Sequence, residues 1–161
     1  DDMIQVYVVN DHLQAINETL FLTIQDFRGN IIWETEKTVA VSPSSSQILY
    51  TLPMNEINIK LKYNFLKASV GAASSLYYFE QPKNLGLEQS EIEMMVSKHA
   101  EGFVIELKSA TLQKDVQLSA SSMGFFDDNY FDLLPNQEKK LYFSTREADV
   151  TFQLRSLNML L

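Results

Sequence analysis

Cysteine is absent from the 161 residues, which excludes disulfides, thiolate metal sites and a cysteine nucleophile together. It does not fix a compartment, because exported bacterial proteins also manage without disulfides. No run of about eighteen apolar residues occurs, so no membrane-spanning helix is expected. The opening DDMIQVYVV lacks the basic, apolar and small-residue order of a signal peptide, which fits a mature or excised segment. Basic residues are few, 13 Lys and Arg against 21 Asp and Glu, for a formal charge of −8. That balance repels phosphate backbones and anionic lipid, so nucleic acid is not an expected partner. Neither G-x-S-x-G nor a glycine-rich phosphate loop appears, leaving acyl transfer and nucleotide binding without support.

What the chain does contain is alternation of period two, and helical spacing is nowhere sustained for three turns. Ile4, Val6 and Val8, then Leu20, Leu22 and Ile24, then Ile48, Tyr50 and Leu52 each read as one buried face of a strand. Ile57, Ile59, Leu61, Tyr63 and Phe65 form the longest strict alternation and predict a strand, wet on the side of Asn58, Lys60, Lys62 and Asn64. Arg28-Gly29-Asn30 marks a tight hairpin turn. Leu76 to Phe79 gives an aromatic strand closed by Pro82, so six or seven strands fit in about eighty residues, the spacing of a sandwich. QPKNLG, residues 81–86, interrupts the pattern and is the candidate boundary. Beyond it Ile92, Met94 and Val96, then Phe103, Ile105 and Leu107, then Val116, Leu118 and Ala120, then Leu141 and Phe143, then Val150, Phe152 and Leu154 predict at least five more strands. The expected fold is all-β, two tandem immunoglobulin-like antiparallel β-sandwiches over residues 1–83 and 84–161, the short connection implying units that pack together.

The stretch FFDDNYFDLLP, residues 125–135, reads as a corner between strands. Asp127, Asp128 and Asn129 suit a turn through short side chains that bond nearby backbone, and Pro135 ends pairing because it has no N–H. Tyr130 and Phe131 are expected to point inward. Tyr130 is either the tyrosine of a sandwich corner, with its hydroxyl returned to backbone, or an ordinary core aromatic. DNYFDLLPNQEKKLYF, residues 128–143, resembles the final immunoglobulin-like domain of β-mannosidases of glycoside hydrolase family two, whose members carry a similar DNYFDLLPGE segment. Asn136-Gln137 stands where that family commonly has Gly-Glu. Val9-Asn10-Asp11 and Asp26-Phe27-Arg28-Gly29 resemble the penultimate domain of the same family, whereas residues 67–75 carry no family pattern. The resemblance implies non-catalytic C-terminal accessory domains of a retaining exo-glycosidase acting on terminal β-mannose; an autonomous carbohydrate-binding module and an adhesion or spacer module are the alternatives. The partners of such accessory domains would be the catalytic barrel and N-terminal domains of the same parent chain, and mannose-containing glycans through that parent.

A retaining glycosidase needs two carboxylates about 5 Å apart, and the resembled family draws both from a barrel. A (β/α)₈ barrel takes about 250 residues, so the catalytic pair is expected outside this chain and no catalytic residue is assigned. Asn55-Glu56 repeats the Asn-Glu dipeptide of such enzymes, but after Pro53 and between two strands it reads as a solvated turn. Asp127, Asp128, Asn129 and Asp132 are oxygen ligands by type, yet the spaced calcium loop is missing and capping is the expected role. His12 and His99 stand apart, without metal-ligand spacing, and no cofactor is implied. Trp33, the single tryptophan, could stack a sugar ring if exposed; its alternation with Ile31 places it in the core instead. Asn17-Glu18-Thr19 matches a glycosylation acceptor. Glu34, Glu36 and Lys37 read as a solvated sheet face.

Overall fold

The computed structural model describes residues 3–160, apart from the side chain of Glu56. Thirteen strands and three short 3-10 turns account for its regular structure, with no α-helix among the described residues. The chain divides into two compact units, one comprising residues Asp1–Asp26 and Asn30–Leu85, the other Phe27–Gly29 and Gly86–Leu161.

In the first unit β1 (Met3–Asn10) pairs with β4 (Ser45–Pro53), and a second sheet runs in the order β3 (Ile31–Val41), β2 (Ile16–Asp26), β5 (Asn64–Val70), β6 (Ala73–Tyr78). Leu20, Leu22 and Ile24 of β2 alternate with outward residues and are at most 1% exposed. Val6, Val39, Val41, Leu49, Leu52 and Leu66 complete that core, each buried aliphatic side chain contributing about 1.5–3 kcal/mol of transfer free energy. Arg28-Gly29-Asn30 forms the expected turn: Gly29 takes φ 86°, and both carboxylate oxygens of Asp26 accept from Asn30, at 2.9 and 2.8 Å.

Three expectations for this unit are corrected. Residues 57–63 form no strand; β5 starts only at Asn64. The Tyr63 and Asn64 N–H groups both donate to the Lys60 carbonyl, and Asn64 Oδ1 accepts the Lys60 N–H at 2.6 Å. A local turn therefore takes the bonds a ladder would need, while Ile57 and Ile59 still pack on the core. Ile48 does not share a face with Tyr50: the register slips between Val6 and Tyr7, Val6 facing Tyr50 and Tyr7 facing Ile48. Leu49 is the extra residue of that bulge, so Leu49 is buried and Ile48 is exposed. A second bulge, at Ile32 opposite Ile24 and Gln25, leaves Ile31 exposed although Trp33 faces inward.

The second unit has a sheet in the order β10 (Phe125–Phe126), β12 (Glu138–Ser144), β8 (Gly102–Ser109), β7 (Ile92–His99), and another in the order β11 (Phe131–Leu133), β9 (Gln113–Ala120), β13 (Phe152–Arg155). Its core joins Phe103, Ile105 and Leu107 to Val116, Leu118, Leu133, Leu141 and Phe143, ringed by Phe126, Phe131 and Phe152. Met94 and Val96 lie on the inner face, opposite Leu107 and Ile105, yet stay 37% and 43% exposed. β7 is an edge strand of which Ile92 packs on the core while Met94 and Val96 do not, so its alternation marks a face but not burial.

Candidate functional site

The corner between β10 and β12 shows how its polar residues are used. Asp127 Oδ1 accepts the Tyr142 N–H at 2.8 Å, and Asp128 pairs with Lys139 at 2.5 Å. Asn129 bonds the backbone of Leu118 twice, Oδ1 accepting its N–H and Nδ2 donating to its carbonyl, each at 2.9 Å. One side chain thus extends the β9–β11 ladder by a step. Asp132 Oδ1 accepts the Asp115 N–H at 2.9 Å and an Nζ–H of Lys114 at 3.0 Å. Burial by itself lowers the pKa of the Lys114 ammonium, but hydrogen bonds and charge from Asp115 and Asp132 more than offset that and hold it above its ordinary value. Every carboxylate of the motif is engaged in holding backbone or a lysine, as capping requires. Among the described residues no group of three or more His, Asp or Glu is placed to hold a metal ion.

Tyr130 departs from its expected place. Its ring is 69% exposed, its φ is 61°, and its hydroxyl accepts from the Gln117 side chain at 3.1 Å, not from an N–H of the backbone. The reason is local: by claiming the Leu118 backbone and the Tyr130 N–H together, Asn129 turns the next residue left-handed and swings its side chain outward. Phe131 is half-buried against the second core and lies 4.9 Å beneath the Lys139 ammonium. Pro135 is buried. Asn136 has φ 60°, a conformation that glycine adopts freely and asparagine tolerates, so the turn after Pro135 keeps a glycine-like geometry.

In the first unit a two-stranded sheet faces a four-stranded one and leaves the inner side of β5 and β6 partly open. One cleft of about 710 Å³ is lined by Ile57, Ile59, Leu61, Tyr77 and Phe79, with Asn55 at its side. Another of about 550 Å³ runs past Val8, His12, Glu18 and Gly71. Trp33 lines neither; it is half-buried in the core with its ring tilted against Tyr50, centroids 6.2 Å apart. Asn55 is exposed and Glu56 belongs to the 3-10 turn Met54–Glu56, its side chain lying outside the described residues. His12 and Asn17 are exposed.

A polar cluster that sequence reasoning did not single out closes the second unit. Gln113 is fully buried; its Nε2 donates to Ser90 Oγ at 2.7 Å, and its Oε1 accepts from Ser156 at 2.9 Å. Asn158, also fully buried, accepts the Lys114 N–H and donates to the Leu112 and Glu88 carbonyls. The polar alternation Ser109, Thr111 and Gln113, from the end of β8 to the start of β9, was its sequence signal.

Two sandwiches of this topology, with the motif of residues 128–135 at a strand corner, match two family models: a mannosidase Ig/CBM-like domain over residues 2–84 and an Ig-fold domain over residues 87–159. The chain belongs to the mannosidase Ig/CBM-like domain family. A β-mannosidase A from Neosartorya fischeri is 26% identical, over 92% of this chain and 18% of that protein. The solved β-D-mannosidase from Dictyoglomus thermophilum superposes with a TM-score of 0.80 at 18% identity, over 97% of this chain and 20% of that one. An exo-chitosanase from Amycolatopsis orientalis superposes with a TM-score of 0.65 at 15% identity, over 96% of this chain and 24% of that one. The two superpositions show the fold. The mannosidase Ig/CBM-like chain described here therefore spans about a fifth of the length of the curated relatives it matches.

Proposed function

We propose that the two sandwiches are non-catalytic accessory domains supporting the catalytic part of a longer glycoside hydrolase of the β-mannosidase kind. The carrying observation is the use made of Asp127, Asp128 and Asp132: the carboxylates of the most recognisable motif bind backbone N–H groups and lysines. Each of these side chains holds the corner together, and none of the three lines either cleft of the first unit or faces another across a space for a glycosidic bond, as an acid and nucleophile pair must. The parent would supply both catalytic carboxylates from a (β/α)₈ barrel, which takes about 250 residues, and would release terminal β-linked mannose with retained configuration. The barrel and the N-terminal domains of that parent are the partners of this reading. Trp33, half-buried beside Tyr50, serves packing here and not sugar contact.

The test is an assay of the chain alone on an aryl β-mannoside. Turnover equal to the buffer control is expected, before and after Glu56→Gln. Hydrolysis above buffer that disappears with Glu56→Gln would overturn the accessory reading.

A further inference from the structure

The outer face of the sheet β10-β12-β8-β7 carries a row of ladder partners: Phe125 opposite Ser144, Ser144 opposite Gly102, Gly102 opposite His99. Directly opposed residues of antiparallel strands project from the same face, so the row reads ring, small, none, ring. The gap is built in. A Cβ on Gly102 would be directed at the β12 backbone, 2.0 Å from the Phe143 carbonyl oxygen, so this position stays glycine and the row keeps no side chain there.

The backbone leading into Phe125 is pinned, and the His99 ring has a ring partner. Gly124 sits so close to β12 that a Cβ there would be 2.3 Å from Phe143 Cζ, and Thr145 Oγ1 donates to the Met123 carbonyl at 2.8 Å. Phe125 is nevertheless 82% exposed, an apolar surface kept in water on a pinned segment. His99 packs edge-on against Tyr142, with centroids 5.7 Å apart. Beside the row opens a cleft of about 1210 Å³ whose lining adds Lys98, Glu101, Arg146 and Glu147. Ser122 also lines it, and its Oγ, withdrawn from solvent, has no hydrogen-bond partner in the protein. A rotation about its one χ angle toward an incoming hydroxyl would relieve that deficit.

These features narrow the ligand. Two cationic and two carboxylate side chains balance locally in a chain of net charge −8, which disfavours an anionic ligand. Charged groups lining the cleft itself run against the charge-depleted centre of a protein–protein patch. What remains is a neutral ligand with one apolar face and many hydroxyls. A pyranose presents its C–H face to an aromatic ring, and its adjacent hydroxyls match planar carboxylate and guanidinium groups. We propose that this cleft of the second sandwich is a binding site for a neutral glycan chain, with Phe125 and His99 as stacking platforms and Glu101 and Arg146 as hydrogen-bonding groups. It is separate from Trp33 and does not depend on where hydrolysis occurs.

The test titrates the full 161-residue chain with β-1,4-linked mannohexaose and, in parallel, cellohexaose, by calorimetry and by amide chemical shifts. Saturable binding of at least one glycan with Kd at or below about 1 mM, a free energy of about −4 kcal/mol, is expected, with shifts at Gly102 and Ser144. Phe125→Ala and Glu101→Gln should each weaken it at least about fivefold, a loss of about 1 kcal/mol. Trp33→Phe should leave it unchanged. Because Phe125 and Glu101 are exposed, an unaltered circular dichroism spectrum will show that the variants fold. No saturation with either glycan up to about 10 mM, or binding that survives Phe125→Ala, would overturn the site. Either failure leaves the accessory role standing, while turnover of the aryl mannoside would overturn that role and leave this site untouched.

Discussion

Asn136 holds a left-handed backbone, φ 60°, while its N–H donates to the Ser109 carbonyl at 2.8 Å. Replacing it by glycine or by alanine removes the same side-chain amide, so the difference between the two variants isolates the backbone. Alanine at positive φ costs about 1–2 kcal/mol, and urea denaturation should find Asn136→Ala less stable than Asn136→Gly by about 1 kcal/mol. Equal stabilities would show that the turn relaxes to another geometry. Lys114 makes a pH-dependent case. Its side chain is 12% exposed and that of its partner Asp132 13%, so Lys114→Met leaves a half-buried carboxylate short of a donor, at a cost of about 1–3 kcal/mol. Because pairing raises the ammonium's pKa in the folded chain, its contribution is fully present below the unfolded value, about 10.4, and is lost as pH rises through the higher folded one. The stability gap between the parent chain and Lys114→Met should therefore be flat from neutral pH to about pH 9 and close only in strong alkali. A gap that closes near neutrality would refute the pairing.

Among the elements, β9 depends most on groups outside its own ladder. Asn129 supplies two bonds to Leu118, which is 2% exposed. Asn129→Ala leaves a buried N–H and carbonyl unpaired, at about 1–3 kcal/mol, and hydrogen exchange should quicken at Leu118 before it does at Ile105 in β8. In the same way, Asn158→Ala should free the C-terminal 3-10 turn Leu157–Leu160 from Leu112 and Lys114 and speed exchange of the Lys114 amide. Period-two patterning reported which strands exist wherever a hairpin partner was at hand, as for Leu20, Leu22 and Ile24. It failed at residues 57–63, where the same alternation meets no neighbouring strand and a side chain, Asn64, completes a turn instead. It also failed across bulges, since one inserted residue at Leu49 or Ile32 reverses every later face. Tyr130 was misplaced for a related reason: a pattern of residue types cannot register that Asn129 takes the backbone bonds that turn its neighbour outward. The family motif, by contrast, was legible because each of its carboxylates has a fixed backbone or lysine partner. The cleft beside Phe125 was hidden, because its gap at Gly102 exists only once three strands stand side by side.

At the scale of the whole chain, the two hydrophobic cores are drawn from separate stretches of sequence. All buried members of the first lie between Val6 and Leu66, and all those of the second between Phe103 and Phe143. Lys83 stands between them in the exposed 3-10 turn Pro82–Asn84, which holds no buried residue. Cleavage after Lys83 leaves each of the two buried clusters on one fragment and breaks no strand, since β6 ends at Tyr78 and β7 begins at Ile92. It costs only local order in a segment that already faces water. We therefore expect brief native-state trypsin treatment to cut there early, giving fragments 1–83 and 84–161, while the far-ultraviolet circular dichroism of the nicked protein matches that of the intact chain. If cutting at Lys83 instead abolishes the β-sheet signal, the two sandwiches are not separate folding units, and the boundary proposed between residues 83 and 84 fails with them.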